Sequence, residues 1–361
     1  MPLFISAPKS ICILRLSAIG DVCNASAVVQ AIQRQWPTTK IVWVMGKLEA
    51  QLLGDLDNVE VLSFDKKKGF KGYLEIWSLL KGRKFDALLH MQTALRASMV
   101  SLGIKAKYKL GFDKQRSSDM QSFFINHKVP SPKSAHVLDG FSQFAKELGI
   151  TELALNWNIP ISFQDKQWAV TQINNQATVV VVPAASKTYK NWTAEGYAKV
   201  IEHLVKKGFQ VILAGSPAQV EIEVAADVVA LCQVNIINLV GKSSLKQMLA
   251  LLKESKLVIA PDTGPAHMAV AVNTPVIGLY AHHNPLRTGP YLYRDYVVSA
   301  YQQAIEAETG KALSDLSWRA RVKDKLAMGR IEASAVIKMV DKISLDLAIN
   351  SSENKGIKYG S

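Results

Sequence analysis

The sequence lacks the features that mark several classes of protein. No apolar run approaches the roughly 18 residues that a membrane-spanning helix needs, and the first ten residues have no basic region followed by a long apolar core. The three cysteines, Cys12, Cys23 and Cys232, have neither paired nor metal-ligand spacing. These absences favour a cytoplasmic protein with reduced thiols, either soluble or peripheral on a membrane.

Several enzyme motifs are missing too. Neither half of the chain contains the G-x-G-x-x-G of dinucleotide-binding oxidoreductases or the G-x-S-x-G elbow of hydrolases. The sequence contains no cluster of Cys and His with the spacing of a zinc site. The one D-x-D, Asp55–Asp57, lies in a Gly-flanked stretch before a strand, so we interpret it as a turn. We therefore expect no metal site and no cofactor.

Acidic residues are scarce relative to basic ones. Asp and Glu number 30 against 43 Lys and Arg, which gives a formal net charge of +13. The basic clusters at 66–73, 81–84 and 104–116 all lie in the first half of the chain. A basic surface suits nucleic acid, an anionic membrane or a phosphorylated substrate. Because the clusters lack the patterns of nucleic-acid modules, we favour the last two, although each run alone is also typical of a solvated surface.

Short apolar runs alternate with helix-compatible segments through both halves of the chain. With 361 residues the chain suits two domains rather than one core. The alternation predicts two doubly wound α/β domains with parallel sheets, whose ligands bind at the carboxyl ends of the strands. We expect two domains, a final helix and a flexible tail, over residues 1–155, 156–330, 331–348 and 349–361 respectively.

The stretch from Lys256 to Tyr280 predicts a strand, a tight turn, a helix and a second strand. A helix that begins with Gly264 and Pro265 presents unpaired N–H groups and a partial positive charge, which favour anions. Asp262, Thr263 and His267 add a carboxylate, a hydroxyl and an imidazole at the same place. An ordinary helix start with a core-facing histidine fits the local pattern equally well.

Further polar segments follow other predicted strands. The sequence R-L-S-A-I-G-D ends in Asp21, which suits either a helix N-cap or a general base. The loop S-K-T-Y-K-N-W at 186–192 offers cations to phosphate oxygens or is simply solvated. Loops at 215–223 and 241–245 suit a nucleotide pocket, with Glu221 or Glu223 available to ribose hydroxyls.

Taken in order, R-L-S-A-I-G-D, K-N-W and P-D-T-G-P-A-H resemble the motifs of the lipopolysaccharide heptosyltransferases, glycosyltransferase family 9. The resemblance extends from about Ile11 to Leu347. It implies a glycosyltransferase type B fold, with two Rossmann-like domains facing across a cleft and the final helix returning to the first domain. It also implies an inverting, metal-independent enzyme that moves heptose from ADP-L-glycero-D-manno-heptose to the lipopolysaccharide inner core.

The resemblance assigns roles to individual residues. Asp21 is implied as the catalytic base that takes the proton from the acceptor hydroxyl. The donor-binding residues are Ser186, Lys187, Lys190, Glu221, Ser243, Asp262, Thr263, Gly264 and His267. The acceptor-binding residues are Arg96, Lys114 and Arg116. One departure stands beside the base, because many family members have His where this chain has Asn24.

The implied partners are ADP-heptose, a phosphorylated inner-core acceptor and the anionic cytoplasmic face of the inner membrane, without nucleic acid. Two alternatives remain open from sequence. One is a transferase of the same fold that uses another nucleotide sugar. The other is a non-catalytic protein that binds a nucleotide sugar or the lipid core.

Overall fold

A computed structural model describes residues 1–353 of the protein. The chain forms two compact units. The first comprises Met1–Lys166 with Leu245–Ala250, and the second comprises Gln167–Ser244 with the chain from Leu251 onward. The division after Lys166 falls within a helix, whereas the sequence suggested a boundary after residue 155.

The first unit is built on a six-stranded parallel sheet. Its strands are β1 (Ser10–Leu14), β2 (Lys40–Gly46), β3 (Val59–Phe64), β4 (Phe85–His90), β5 (Ala106–Gly111) and β6 (His127–Lys128). They are arranged in the order β3-β2-β1-β4-β5-β6. The helices are α1 (Ile19–Gln35), α2 (Lys47–Leu53), α3 (Phe70–Leu80), α4 (Leu95–Ser101), α5 (Val137–Leu148) and α6 (Phe163–Ile173). Residues 11–14 of β1 are fully buried, as expected of a central strand with helices on both faces.

The second unit contains another six-stranded parallel sheet. Its strands are β7 (Thr178–Val181), β8 (Gln210–Leu213), β9 (Ile237–Asn238), β10 (Leu257–Pro261), β11 (Val276–Tyr280) and β12 (Val297–Ser299). Their order, β12-β11-β10-β7-β8-β9, repeats that of the first unit when each sheet is counted from its own first strand. The helices are α7 (Ala194–Lys206), α8 (Gln219–Leu231), α9 (Leu245–Glu254), α10 (Gly264–Ala271), α11 (Pro285–Thr288), α12 (Tyr301–Thr309) and α13 (Ala333–Glu353). Residues Leu245–Ala250 of α9 belong to the first unit. The predicted doubly wound α/β class is therefore confirmed.

Three elements have weak sequence signals. Helix α6 has no marked apolar periodicity in the sequence, because only Ala169 and Ile173 of its residues are buried. Strand β12 and helix α12 follow Tyr291, after which apolar runs and helix-compatible segments alternate less clearly. Strand β12 is a partly exposed strand of three residues, too short for a period-two pattern to show.

The final helix differs from the expectation that it returns to the first domain. Its described side chains Val336, Val340 and Ile343 are buried in the apolar core of the second unit, and it packs on α7, β11 and β12. The Asp341 carboxylate of this helix also accepts a 2.8 Å hydrogen bond from His203 Nε2. The helix continues to Glu353, so residues 349–353 of the expected tail are helical, and residues 354–361 lie outside the described residues. No helix in residues 1–353 combines the length and the apolar composition that crossing a membrane requires.

Candidate active site

Each sheet has one point at which the strand order reverses. In the first unit this point lies between β1 and β4, and in the second it lies between β7 and β10. Loops that leave the carboxyl ends of two such strands diverge, which opens a crevice for ligands. The predicted site residues Asp21, Lys190 and Asp262 follow three of these four strands, β1, β7 and β10 respectively.

In the first unit, Asp21 lies in the first turn of α1 and forms an ion pair with Arg15. Its Oδ2 also accepts a 3.3 Å hydrogen bond from the Ala18 N–H. The Asp21 side chain is 31% exposed, against 13% for Arg15. The carboxylate is therefore fixed in position and still open to solvent, as a proton acceptor for a bound ligand must be.

Arg15 is itself held firmly, although no role was predicted for it. Its Nη1 donates a 2.6 Å hydrogen bond to the Met91 carbonyl, and its guanidinium lies 5.2 Å from the centre of the Phe141 ring. Nearby, the Gln92 Oε1 accepts from the Leu16 N–H at 2.7 Å. These contacts tie the loops after β1 and β4 together. An arginine directly after the first strand was the available signal.

Two buried side chains lie in the turn that follows Asp21. Burial, and to a smaller extent the negative charge of Asp21, raises the pKa of the Cys23 thiol to about 12. This cysteine is therefore unreactive at neutral pH. Asn24 is 2% exposed, and its Nδ2 has no hydrogen-bond partner within residues 1–353.

In the second unit, two basic side chains contact one carboxylate, and the three residues come from three different loops. Lys190 Nζ lies 2.7 Å from Asp262 Oδ2 and 3.2 Å from the Asp262 carbonyl oxygen. His283 Nδ1 lies 2.6 Å from the same Oδ2. Lys190, Asp262 and His283 follow β7, β10 and β11 respectively. The sequence placed the first two in one site but gave His283 no role.

The electrostatics of this cluster follow from its composition. Burial by itself raises the pKa of Asp262, but the hydrogen bond from His283 and the charges of Lys190 and His283 outweigh it. The pKa of Asp262 is therefore held well below its usual range. Asp262 stays ionised at neutral pH and fixes the two basic side chains beside it.

The first turn of α10 follows Asp262 directly. Thr263 is the N-cap residue with extended backbone, and its side chain makes no capping hydrogen bond. Gly264 and Pro265 open the helix, so the turn brings a glycine and the positive end of the helix dipole to the same sheet edge. His267, predicted to face the donor, is 8% exposed.

The loop after β7 carries the predicted Ser186 and Lys187, both of which are exposed. Asn191 fixes this loop, because its Oδ1 accepts a 2.8 Å hydrogen bond from the Ala185 N–H. Trp192 anchors its end by donating a 3.0 Å hydrogen bond to the Ile331 carbonyl. The backbone of this loop is therefore held in place at its end, close to the lysine side chains that it carries.

Glu221 and Ser243 lie in neighbouring loops of the second unit. Glu221 was expected to meet ribose hydroxyls, but its two oxygens bind the Ser216 N–H at 2.8 Å and the Ser216 hydroxyl at 2.6 Å. Its side chain thus holds the loop after β8. The loop after β9 is attached to it, because the Gly241 N–H donates to the Gly215 carbonyl at 3.1 Å. The Ser243 Oγ is buried and unpartnered in the part of the chain that is described.

The three predicted acceptor residues differ in exposure. Arg96 and Lys114 are exposed, as a role in binding anions requires. Arg116 is only 4% exposed, and it donates a 2.9 Å hydrogen bond to the Ser134 carbonyl while its N–H binds Asp113. Burial lowers the pKa of Arg116. The guanidinium of Arg116 thus joins two segments of the first unit, and its contact with the acceptor stays a prediction.

The two units, each with a six-stranded parallel sheet, have the type B fold of glycosyltransferases. A glycosyl transferase family 9 protein from Veillonella parvula has a TM-score of 0.75 at 20% identity, over 94% of this chain and 97% of that chain. The E. coli heptosyltransferase WaaC, solved with ADP, has a TM-score of 0.69 at 21% identity, over 92% and 99%.

Sequence comparison identifies the family within that class. The sequence model for glycosyltransferase family 9 (heptosyltransferase) matches residues 73–316. The lipopolysaccharide core heptosyltransferase OpsX of Haemophilus influenzae is 46% identical over 346 residues, which cover 96% of this chain and 100% of that protein. The chain therefore belongs to glycosyltransferase family 9, and the resemblance that its motifs indicated is confirmed.

Proposed function

We propose that the protein is an inverting, metal-independent transferase that moves heptose from ADP-L-glycero-D-manno-heptose to the lipopolysaccharide inner core. It would work at the cytoplasmic face of the inner membrane. The whole-length similarity to a lipopolysaccharide core heptosyltransferase supports the acceptor class. The observation that carries the proposal is the cluster of Lys190, Asp262 and His283 beside the start of α10.

The donor part of the proposal rests on the second unit. Lys190 and the N–H groups at the start of α10 stabilise the negative charge that develops on the departing diphosphate. They supply the charge that a metal ion supplies in other transferases. Asp262, held ionised, accepts hydrogen bonds from heptose hydroxyls. The surrounding donor residues in this proposal are Ser186, Lys187, Ser243, Thr263, Gly264 and His267, with Glu221 acting through the loop it holds.

The transfer step assigns the proton to Asp21. The acceptor hydroxyl oxygen bonds to the anomeric carbon of heptose while the bond from that carbon to the diphosphate oxygen breaks. The electron pair of the broken bond leaves with ADP, and the Asp21 carboxylate takes the hydroxyl proton. A single displacement inverts the anomeric configuration. Arg96 and Lys114 contact anionic groups of the acceptor in this scheme.

A donor screen and a product assay test the proposal together. ADP-heptose is expected to raise the unfolding temperature, whereas UDP- and GDP-sugars leave it unchanged. Incubation with ADP-heptose and a core acceptor is expected to add the mass of one heptose. Stabilisation by UDP- or GDP-sugars alone would contradict the heptose donor. Stabilisation by ADP-heptose without product would favour the non-catalytic binding protein instead.

A further inference from the structure

Helix α3 presents apolar side chains to solvent at the surface of the first unit. Phe70 is 64% exposed and Leu74 is 50% exposed, and the two lie one turn apart on the helix. We propose that the α3 patch, defined as Phe70, Tyr73, Leu74 and Trp77, together with the lysines around it, docks on the surface of an anionic lipid bilayer.

The opposite side of α3 is firmly packed. Gly72, Ile76 and Leu80 are its buried residues, at a spacing of four. A Cβ at Gly72 would lie 2.8 Å from the Asp65 carbonyl oxygen, so only glycine lets the helix lie this close to the preceding loop. The exposed side is therefore held in a fixed orientation by the core, and docking requires no rearrangement of the helix.

The aromatic members of the patch form one connected group. The Phe70 ring centroid lies 6.2 Å from that of Trp77 and 6.3 Å from that of Tyr73. The Trp77 indole N–H donates a 3.2 Å hydrogen bond to the Val100 carbonyl, so its polar atom is satisfied within the protein. Aromatic side chains, above all Trp and Tyr, are enriched where proteins meet the headgroup region of a bilayer.

The charge around the patch identifies its partner. Residues 66–84 contain seven Lys and Arg and a single acidic residue, Glu75, which is paired with Lys68 at 2.9 Å. Lys66, Lys67 and Lys71 are exposed and form no ion pair within residues 1–353. A rigid helix with exposed apolar side chains beside unpaired lysines matches the requirements of an anionic bilayer surface, which combines acyl chains with negative headgroups.

This inference rests on the proposed function and deepens it, because an enzyme that acts on a lipid acceptor must reach the bilayer that contains the acceptor. The binding itself is measurable without donor or acceptor. The intact protein is mixed with phosphatidylcholine vesicles, with and without phosphatidylglycerol, and sedimented. We expect binding to the anionic vesicles alone and weaker binding at high salt.

Paired substitutions separate the charge from the apolar contribution. Each lysine near an anionic surface strengthens partition about fivefold, so Lys67→Gln with Lys71→Gln should lower it about 25-fold. Phe70→Ser with Leu74→Ser should lower partition about tenfold by removing exposed apolar area without changing charge. Lys253→Gln with Lys256→Gln is the matched control, because both side chains are exposed in the second unit. This control removes the same net charge away from α3, so it should lower vesicle partition by no more than about twofold.

Thermal unfolding shows that each variant is folded. Failure of the wild-type protein to bind anionic vesicles would overturn the proposal, as would equal losses in the control and patch variants. Transfer to a detergent-dispersed acceptor is measured in parallel. Wild-type protein that transfers heptose to the dispersed acceptor but does not bind anionic vesicles would refute the α3 patch alone. Wild-type protein that binds the vesicles without transferring heptose would refute the proposed function alone.

Discussion

The two units share a strand order but hold their carboxylates differently. Asp21 has one cationic partner, Arg15, and is 31% exposed. Asp262 lies between Lys190 and His283 and is 14% exposed. The same topology thus supports an accessible carboxylate in one unit and an enclosed one in the other. An accessible carboxylate can receive a proton from a ligand, whereas an enclosed one between two basic groups serves to hold position.

The pKa of Asp262 sharpens this difference. A carboxylate whose pKa is held well below its usual range is a weak proton acceptor, because general-base efficiency falls as the pKa moves away from the working pH. Asp262 is therefore unsuited to deprotonating an acceptor hydroxyl. This difference supports the proposal that proton transfer belongs to Asp21 rather than to Asp262.

The largest expected effect follows from Asp21→Asn. Asparagine keeps the size of the side chain but cannot take the acceptor proton, so kcat should fall by about 10²–10⁴-fold. Affinity for ADP should stay within twofold, because the donor residues lie in the second unit. Rates are measured from heptosylated product by mass spectrometry and ADP affinity by calorimetry. Full turnover by this variant would reverse the comparison between the units.

An intermediate effect is expected for Lys190→Met. Loss of the ammonium group should lower kcat/KM for transfer about 100-fold, since one preorganised charge on a leaving group contributes at this level. Lys199→Met is the matched control, because Lys199 is an exposed lysine on α7, and it should leave kcat/KM unchanged. Similar kinetics for the two variants would remove Lys190 from the leaving-group site.

The smallest expected effect concerns His283→Ala. Removing this hydrogen bond raises the folded-state pKa of Asp262 towards its unfolded value of about 4. The lowered pKa contributes stability that is complete above the unfolded value and is lost as the pH falls through the folded value. The variant should therefore be less stable by about 1 kcal/mol at pH 6, and the deficit should shrink in acid.

Urea unfolding at a series of pH values measures this deficit. His203→Ala is the control, because His203 pairs with Asp341, a residue whose side chain is 42% exposed. Exposed pairs contribute little, so the control should change stability by less than about 0.5 kcal/mol. A His283→Ala deficit that persists unchanged in strong acid would show that the effect does not pass through Asp262.

The sequence was sufficient for the features that depend on local pattern. The apolar run that begins at Ile11 coincides with β1 except for its first residue, Ser10, and the turn at Asp262 leads into a helix at Gly264 as predicted. Buried parallel strands are near-continuous apolar runs, so their positions are legible without knowledge of their neighbours. The alternation of strands and helices then fixes the fold class.

Features that depend on distant neighbours could not be predicted in this way. His283 is 21 residues from Asp262, and the two meet only because β10 and β11 are adjacent in the sheet. Arg116 belongs to a basic run, and its burial depends on Ser134 and Asp113. The two units have the same strand order without a sequence repeat. A strand order specifies which strands are neighbours, and many different side chains are compatible with it.

The place of α13 in the second core has a consequence for synthesis. That core draws on Val179 near its start and on Ile343 in the last helix. A ribosome must therefore translate nearly the whole chain before the second unit can bury its apolar surface. The first unit, whose six strands end at Lys128, has its sheet sequence complete much earlier. From the synthesis of Gln167 until that of Ile343, a nascent chain thus carries an unfinished second unit, and this unit is the one that chaperones would be expected to bind.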